Sequence, residues 1–399
     1  MRCRLDINQC LIYVFEHSSV PYSGSAYNTK KRTSKQAPDE LTHKTNTENV
    51  EINFTFVNTS DDNITVSTIV YSGTTSVILA LLTAIVSFIT VVGNILVLIS
   101  FFVERALRTA SNYFIASLAV TDVLIGVFSM NFYTLYLLLG RWPLGRLSCD
   151  LWLSLDYTAC LTSQYTVLII TIDRFCSVRI PAKYRNWRTE RKILILVAIT
   201  WIIPSSVFFT TIMGWPYFHT DSNPRPDYEC YAEFATDPVF NTVFTVCYFW
   251  VTLCVMLILY VGIYRVAAAL QKRSDEKRNR VSGLITDNGQ KTTKSTQKSE
   301  RKNIERGRRE NRARKALRTI TFIMGAFVIC WTPYHIVIMI KGICDDIQNK
   351  YTCVNDIFYS VTYWLCYMNS PINPFCYALA NAQFKKTFLR IFRGDFRRL

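Results

Sequence analysis

Seven long apolar runs, near residues 75–102, 111–138, 147–178, 193–213, 239–270, 316–341 and 355–379, divide the chain. Each reaches the roughly 20 residues that a helix needs to cross a bilayer core. A soluble chain of 399 residues would instead show shorter elements, apolar on one face. The runs predict an all-α membrane protein built as a seven-transmembrane helix bundle. Residues 1–73 are polar and read as an extracellular tail, and 74–379 as the membrane domain. Within it, 274–314 reads as a charged third cytoplasmic loop, helical only where it prolongs spans five and six. In 380–399, Phe384, Phe388, Leu389 and Phe392 recur at helical spacing among basic residues, which predicts a short amphipathic eighth helix on the inner membrane surface.

Charge gives this bundle a direction. The formal net charge is +16, and it gathers beside the spans. Arg105 and Arg108 follow span one. Arg179, Lys183, Arg185, Arg188, Arg191 and Lys192 join spans three and four, and residues 265–318 hold 18 Lys and Arg against 6 acids. Loops this basic stay in the cytoplasm, so the N-terminus faces outside. Glycosylation sequons at Asn53, Asn58 and Asn63 fall on that outer tail. The apolar stretch at 11–15 is too short for a cleaved signal peptide, so span one is expected to act as the insertion signal. So basic a chain invites a nucleic-acid reading, but clusters that flank membrane spans answer to topology and anionic lipid instead.

Polar residues inside the spans carry the chemistry, because an ionisable group in a membrane is costly and is usually kept for function. Asp156 sits about two turns into span three. The outer parts of the other spans offer it no basic partner except Lys341, at the very end of span six. Its counter-ion can be a ligand; the alternative is a buried structural carboxylate. Tyr157, Trp331, Tyr334, Tyr363 and Tyr367 lie at outer or middle depths. A carboxylate among aromatic faces suits a quaternary ammonium, which has no N–H to donate, although any one of these rings can simply pack helices. Asp122 in span two shares its depth with Ser163, Asn369, Ser370 and Asn373. That set reads as a sodium site or as a water-filled polar network, and either is a switchable core.

Span three ends in Asp173-Arg174-Phe175, with Arg174 18 residues beyond Asp156 and so about 27 Å deeper. One helix thus joins an outer carboxylate to an inner arginine, a geometry suited to transmission, though Arg174 alone also reads as a positive-inside anchor. Pro333, Pro371 and Pro374 break the helical ladder and allow bending. Of thirteen cysteines, Cys160, Cys247, Cys254, Cys330, Cys366 and Cys376 lie within spans and read as packing residues. Cys149, Cys230, Cys344 and Cys353 lie on the oxidising outer side and allow two bridges, in any of three pairings.

Gly93-Asn94, Leu118-Ala119-Val120-Thr121-Asp122, Asp173-Arg174-Phe175, Cys330-Trp331-Thr332-Pro333-Tyr334 and Asn373-Pro374-Phe375-Cys376-Tyr377 resemble the signatures of rhodopsin-like G-protein-coupled receptors, over roughly residues 74–395. Longer strings, IGVFSMNFYTLY at 125–136, CDLWLSLDY at 149–157, YWLCYMN at 363–369 and NAQFKKTF at 381–388, with Trp142-Pro143-Leu144-Gly145, resemble muscarinic acetylcholine receptors of an invertebrate subtype. The resemblance implies a plasma-membrane receptor, at synapses, that binds acetylcholine outside and activates a heterotrimeric G protein inside, without catalysis. It implies Asp156 as counter-ion, Tyr157, Tyr334 and Tyr367 as a lid over the ammonium, Tyr363, Trp331 and Cys366 beside them, and Thr242 as a pocket threonine. Asp173 and Arg174 would serve G-protein coupling. No resident cofactor is expected beyond an allosteric sodium ion, and lipid is the other expected partner.

Several positions depart from the family pattern. His335 stands where the family has a pocket asparagine, which implies weakened binding of bulky ester antagonists. Phe175 replaces a tyrosine, Trp250 a proline, and Ala313 the inner acid that pairs with the arginine; Glu310, one turn earlier, is the substitute, or basal activity is raised. Ala316, Leu317, Ile320 and Thr321 match neither branch of the family, and the reading leans to the inhibitory G-protein class. The competing readings are a receptor for another biogenic amine, a channel or transporter, and an enzyme. Catecholamine receptors carry serines in span five, whereas residues 239–243 hold none. Internal repeats of the transporter kind are missing. An enzyme would need a nucleophile–base or metal set, and His17, His43, His219 and His335 are scattered.

Overall fold

A computed structural model describes residues 73–218, 225–285, 295–347 and 354–394. Span one is Gly73–Val103, span two Ala110–Leu139, span three Arg146–Arg179 and span four Glu190–Phe218. Span five begins at Pro238 and continues to Ile285. Span six is Ser295–Ile347, span seven Asp356–Ala380, and a final helix, Ala382–Phe392, follows. The eighth helix expected from the spacing of Phe384 and Phe388 is therefore present, with both of those rings buried.

Five spans are apolar enough to cross a membrane on composition alone; spans three and seven are long enough but more polar. The reason is their place in the bundle. Span three packs against spans two, four, five and six. Its Ser154, Asp156, Thr158, Thr162, Ser163 and Gln164 are all buried, so their polar groups meet protein and not lipid. Spans one and four show the reverse. Phe88, Ile78, Ile195 and Ile202 stand exposed on their outer faces, as helices bathed in lipid require.

Two spans widen locally. A π-helical turn at Ile125–Ser129 interrupts span two, and another at Val246–Trp250 interrupts span five. Each lengthens one turn and re-aims the side chains on either side of it. The second falls at Trp250, so span five is distorted there even without a proline. At the inner side, Asn94 Nδ2 donates to the Ser370 carbonyl at 3.1 Å, joining spans one and seven. Arg390 of the final helix pairs with Glu104 at 3.1 Å, which ties that helix to the first inner loop.

The described parts of the third cytoplasmic loop are helical as prolongations of spans five and six, which continue to Ile285 and from Ser295. Asn53, Asn58, Asn63 and Cys353 lie outside the described residues, as do the side chains of Glu310 and Ala313. Cys149 and Cys230 form a disulfide, with 5.7 Å between their Cα atoms, and Cys344 is disulfide-bonded as well.

Candidate functional site

The bridge to Cys230 fixes the second outer loop across the top of span three, two turns above Asp156. Further contacts hold that loop in place. The Trp142 amide donates to the Tyr228 carbonyl at 2.7 Å, and Arg225, buried, donates to Asp150 at 2.7 Å and to the Tyr231 carbonyl. Phe234, at the end of the loop, rests edge-on against Tyr157, their centroids 5.8 Å apart. The loop thereby closes one side of a cavity whose polar centre is Asp156.

Asp156 is 2% exposed. The Tyr363 hydroxyl donates to its Oδ2 at 2.7 Å and the Tyr367 hydroxyl to its Oδ1 at 3.1 Å. The Cys160 thiol, one turn along the same helix face, stands 3.9 Å from Oδ1. Among the described residues no lysine or arginine pairs with this carboxylate. Lys341 is engaged elsewhere, its Nζ lying 5.3 Å above the Tyr359 ring. A buried carboxylate with neutral donors alone leaves its charge uncompensated on the side that faces the cavity.

Aromatic rings enclose that side. Tyr133 stacks on Tyr363 at 4.4 Å, Tyr334 meets Tyr363 edge-on at 5.1 Å, and Tyr157 packs against Phe208 at 5.1 Å. Of the residues expected from sequence, Asp156, Tyr157, Trp331, Tyr334, His335, Tyr363, Cys366 and Tyr367 line one cavity. Tyr363 is not merely beside the charge: it makes the shorter of the two tyrosine bonds to it.

Thr242 does not belong to this set and is a correction to the sequence reading. Its hydroxyl faces the outer end of span six, where a Cβ on Gly342 would stand 2.7 Å from Thr242 Oγ1. Span five contributes Tyr248 instead, from within the widened turn at Val246–Trp250. Cys160, read from sequence as a packing residue, also lines the cavity, as do Leu161 and Gln164 on span three and Phe208 on span four, which the sequence reading did not single out. Cys160 and Gln164 carry a readable signal, lying four and eight residues beyond Asp156 on one helical face. Phe208 carries none.

One level deeper, Asn373 Nδ2 donates to Asp122 Oδ2 at 2.8 Å. Asp122 Oδ1, Ser163 Oγ, Asn369 Oδ1 and Asn373 Oδ1 are buried without a hydrogen-bond partner. Orphaned oxygens from three spans are a donor set for water or a hard cation.

At the inner end of span three, Asp173 accepts from Ser111 at 2.8 Å, from the Tyr184 hydroxyl at 2.9 Å and from Arg188 at 3.2 Å. Burial and the neighbouring carboxylate push the Tyr184 phenol up from its ordinary pKa, so it remains a donor. Arg174 is only 3.9 Å from Asp173, and its Nε is buried without a partner. It lines an inner cavity together with Arg318, Tyr377 and Lys385.

Residues 93–377 match the family model of the 7 transmembrane receptor, rhodopsin family. The mouse muscarinic acetylcholine receptor M1 is 31% identical over an alignment covering 79% of this chain and 89% of the relative. The muscarinic acetylcholine receptor gar-2 of Caenorhabditis elegans is 45% identical, over 53% of this chain and 34% of the relative. The chicken muscarinic acetylcholine receptor M2 is 27% identical, over 84% and 96%. On this match and these relatives, the chain belongs to the rhodopsin family of seven-transmembrane receptors, in the muscarinic acetylcholine receptor group.

Proposed function

We propose that this receptor binds acetylcholine from the outer side of the plasma membrane and passes the signal to a heterotrimeric G protein inside. The observation that carries the reading is Asp156: a carboxylate sealed among tyrosines, with no basic side chain paired to it among the described residues. An ammonium without N–H groups needs a charge and aromatic faces, and the cavity supplies both. The names of the relatives, each a muscarinic acetylcholine receptor, point the same way. The inner cavity around Arg174 is the docking place for the G protein, of the inhibitory class. The basic inner connections support an outside N-terminus, and the exposed apolar faces of spans one and four support lipid as the surrounding partner.

The cluster around Asp122 fits a sodium ion, with Asp122, Ser163, Asn369 and Asn373 as its holders. The ion would supply a positive charge to a buried acid. These residues orient one another through the Asn373–Asp122 bond and keep the charge between spans two, three and seven.

The decisive experiment is G-protein activation in membranes carrying the full chain, titrated with acetylcholine and other amines, alongside Asp156→Asn. A saturable acetylcholine response that collapses in the variant is expected. A response to another amine and none to acetylcholine, from protein at the cell surface, overturns the ligand assignment and leaves the fold intact.

A further inference from the structure

His335 lines the ligand cavity, yet every polar atom of its ring is already engaged by the protein. The ring is 1% exposed and lies flat on Phe249, with 3.5 Å between centroids and 3° between planes. Nδ1 is 2.9 Å from the Trp331 carbonyl. A carbonyl can only accept, so Nδ1 carries the proton. Nε2 is 3.3 Å from the Tyr248 hydroxyl. No carboxylate reaches either nitrogen among the described residues, so the ring is a neutral imidazole and Nε2 accepts from Tyr248. The neighbouring Gln164 gives one N–H of its Nε2 to the Tyr248 main-chain carbonyl at 2.9 Å and keeps a second.

Two side chains that sequence alone would count as donors toward a ligand, His335 and Tyr248, therefore direct those donors back into the bundle. Among the cavity-lining residues, Trp331 Nε1 is the buried donor left without a partner, and Trp331 lies one turn further in than His335.

We propose that His335 makes the wall it forms with Tyr248 blind to the ester of the ligand, so that this receptor selects by ammonium charge and aromatic fit. This rests on the acetylcholine reading above. A site built to hydrogen-bond a ligand group rejects the analogue lacking it because its own polar atoms are left unpaired. His335 and Tyr248 leave none unpaired, so an alkyl tail loses nothing against them. An ester carbonyl, stripped of water and offered no donor by these two side chains, gains nothing against them. His335 is thus the specificity-determining residue at the far end of the cavity, and Tyr248 positions its ring.

The test compares acetylcholine with n-pentyltrimethylammonium, a cation of the same length with methylenes in place of the ester. Binding of both is measured on membranes carrying the full chain, by displacement of one labelled antagonist. The unaltered receptor is expected to favour acetylcholine by no more than about fivefold, the span of one net neutral hydrogen bond. His335→Asn frees an amide and is expected to raise that ratio to about tenfold or more. Tyr248→Phe, which keeps the cavity wall in place, is expected to shift both ligands equally and leave the ratio as it was. A ratio above about fivefold in the unaltered receptor, or a loss confined to acetylcholine in Tyr248→Phe, overturns the proposal. A receptor that binds neither cation, or whose binding survives Asp156→Asn, overturns the acetylcholine reading and this inference with it.

Discussion

Arg188 holds Asp173 at 3.2 Å, nearer than the adjacent Arg174 at 3.9 Å. The acid at the inner end of span three is therefore claimed by the second cytoplasmic loop, through Arg188 and Tyr184, and the Arg174 head is left largely unclaimed. Removing Arg188 returns Asp173 to Arg174. We predict that Arg188→Gln lowers ligand-free nucleotide exchange on the G protein by about two- to fivefold, the scale of a partly exposed ion pair. Exchange that stays level or rises would show that Arg188 does not compete for the acid.

Asp156→Asn removes the charge and keeps the shape. The expected loss in acetylcholine potency is about a hundredfold or more, as for breaking one side of a buried charge pair. Tyr363→Phe leaves the charge but deletes a hydrogen bond to it, and about tenfold is expected. Potency in G-protein activation, normalised to surface protein, distinguishes the two. Equal effects would mean that the carboxylate acts only through its tyrosine partners.

Sodium should stabilise the receptor through the Asp122 cluster, since an ion that binds the folded state alone raises its melting temperature. Purified receptor is predicted to melt about one degree higher in sodium than in N-methylglucamine at equal ionic strength, the shift expected for about 1 kcal/mol in a chain of this size. Asp122→Asn should abolish the difference. A difference that persists in the variant places the ion elsewhere.

Phe175, in place of a tyrosine, presses on span five. A Cβ on Gly262 would lie 2.7 Å from its ring, so the two helices approach closely because residue 262 has no side chain. Gly262→Ala should destabilise the receptor by about 1–3 kcal/mol through overpacking. The double variant Gly262→Ala with Phe175→Leu should recover most of it in a thermal unfolding assay. Failure of the second change to help would put the strain in the backbone.

Much of this molecule was legible in its sequence because membrane crossing leaves a coarse, long-range pattern. The spans, the final amphipathic helix and the depth of Asp156 all follow from apolar length and helical pitch. Gathering Asp156, Tyr363 and Tyr367 into one cavity was also within reach, since tyrosines near an unpaired acid have an electrostatic reason to be there. What failed was register. Thr242 and Tyr248 are six residues apart, and which of them faces the cavity depends on the widened turn at Val246–Trp250. Nothing in periodicity announces such a turn, and Trp250 in place of a proline left the local shape of span five open. The hydrogen bonding of His335 was equally hidden, because it depends on where a carbonyl one turn away and a hydroxyl from another span come to rest.

Span six is a single helix of 53 residues with Pro333 inside it. From Pro333 to Arg318 is about 22 Å of helix, and from Pro333 to Ser295 about 57 Å. Pivoting by only about 5° at the proline would carry Arg318 sideways by about 2 Å and the far tip by about 5 Å. Trp331, Tyr334 and His335, which surround the pivot, would shift by a few tenths of an ångström. The ligand thus works at the short end of a long lever. A contraction around the ammonium no larger than the give of a packed side chain would move the inner end of span six by ångströms, in proportion to the length of helix below the proline.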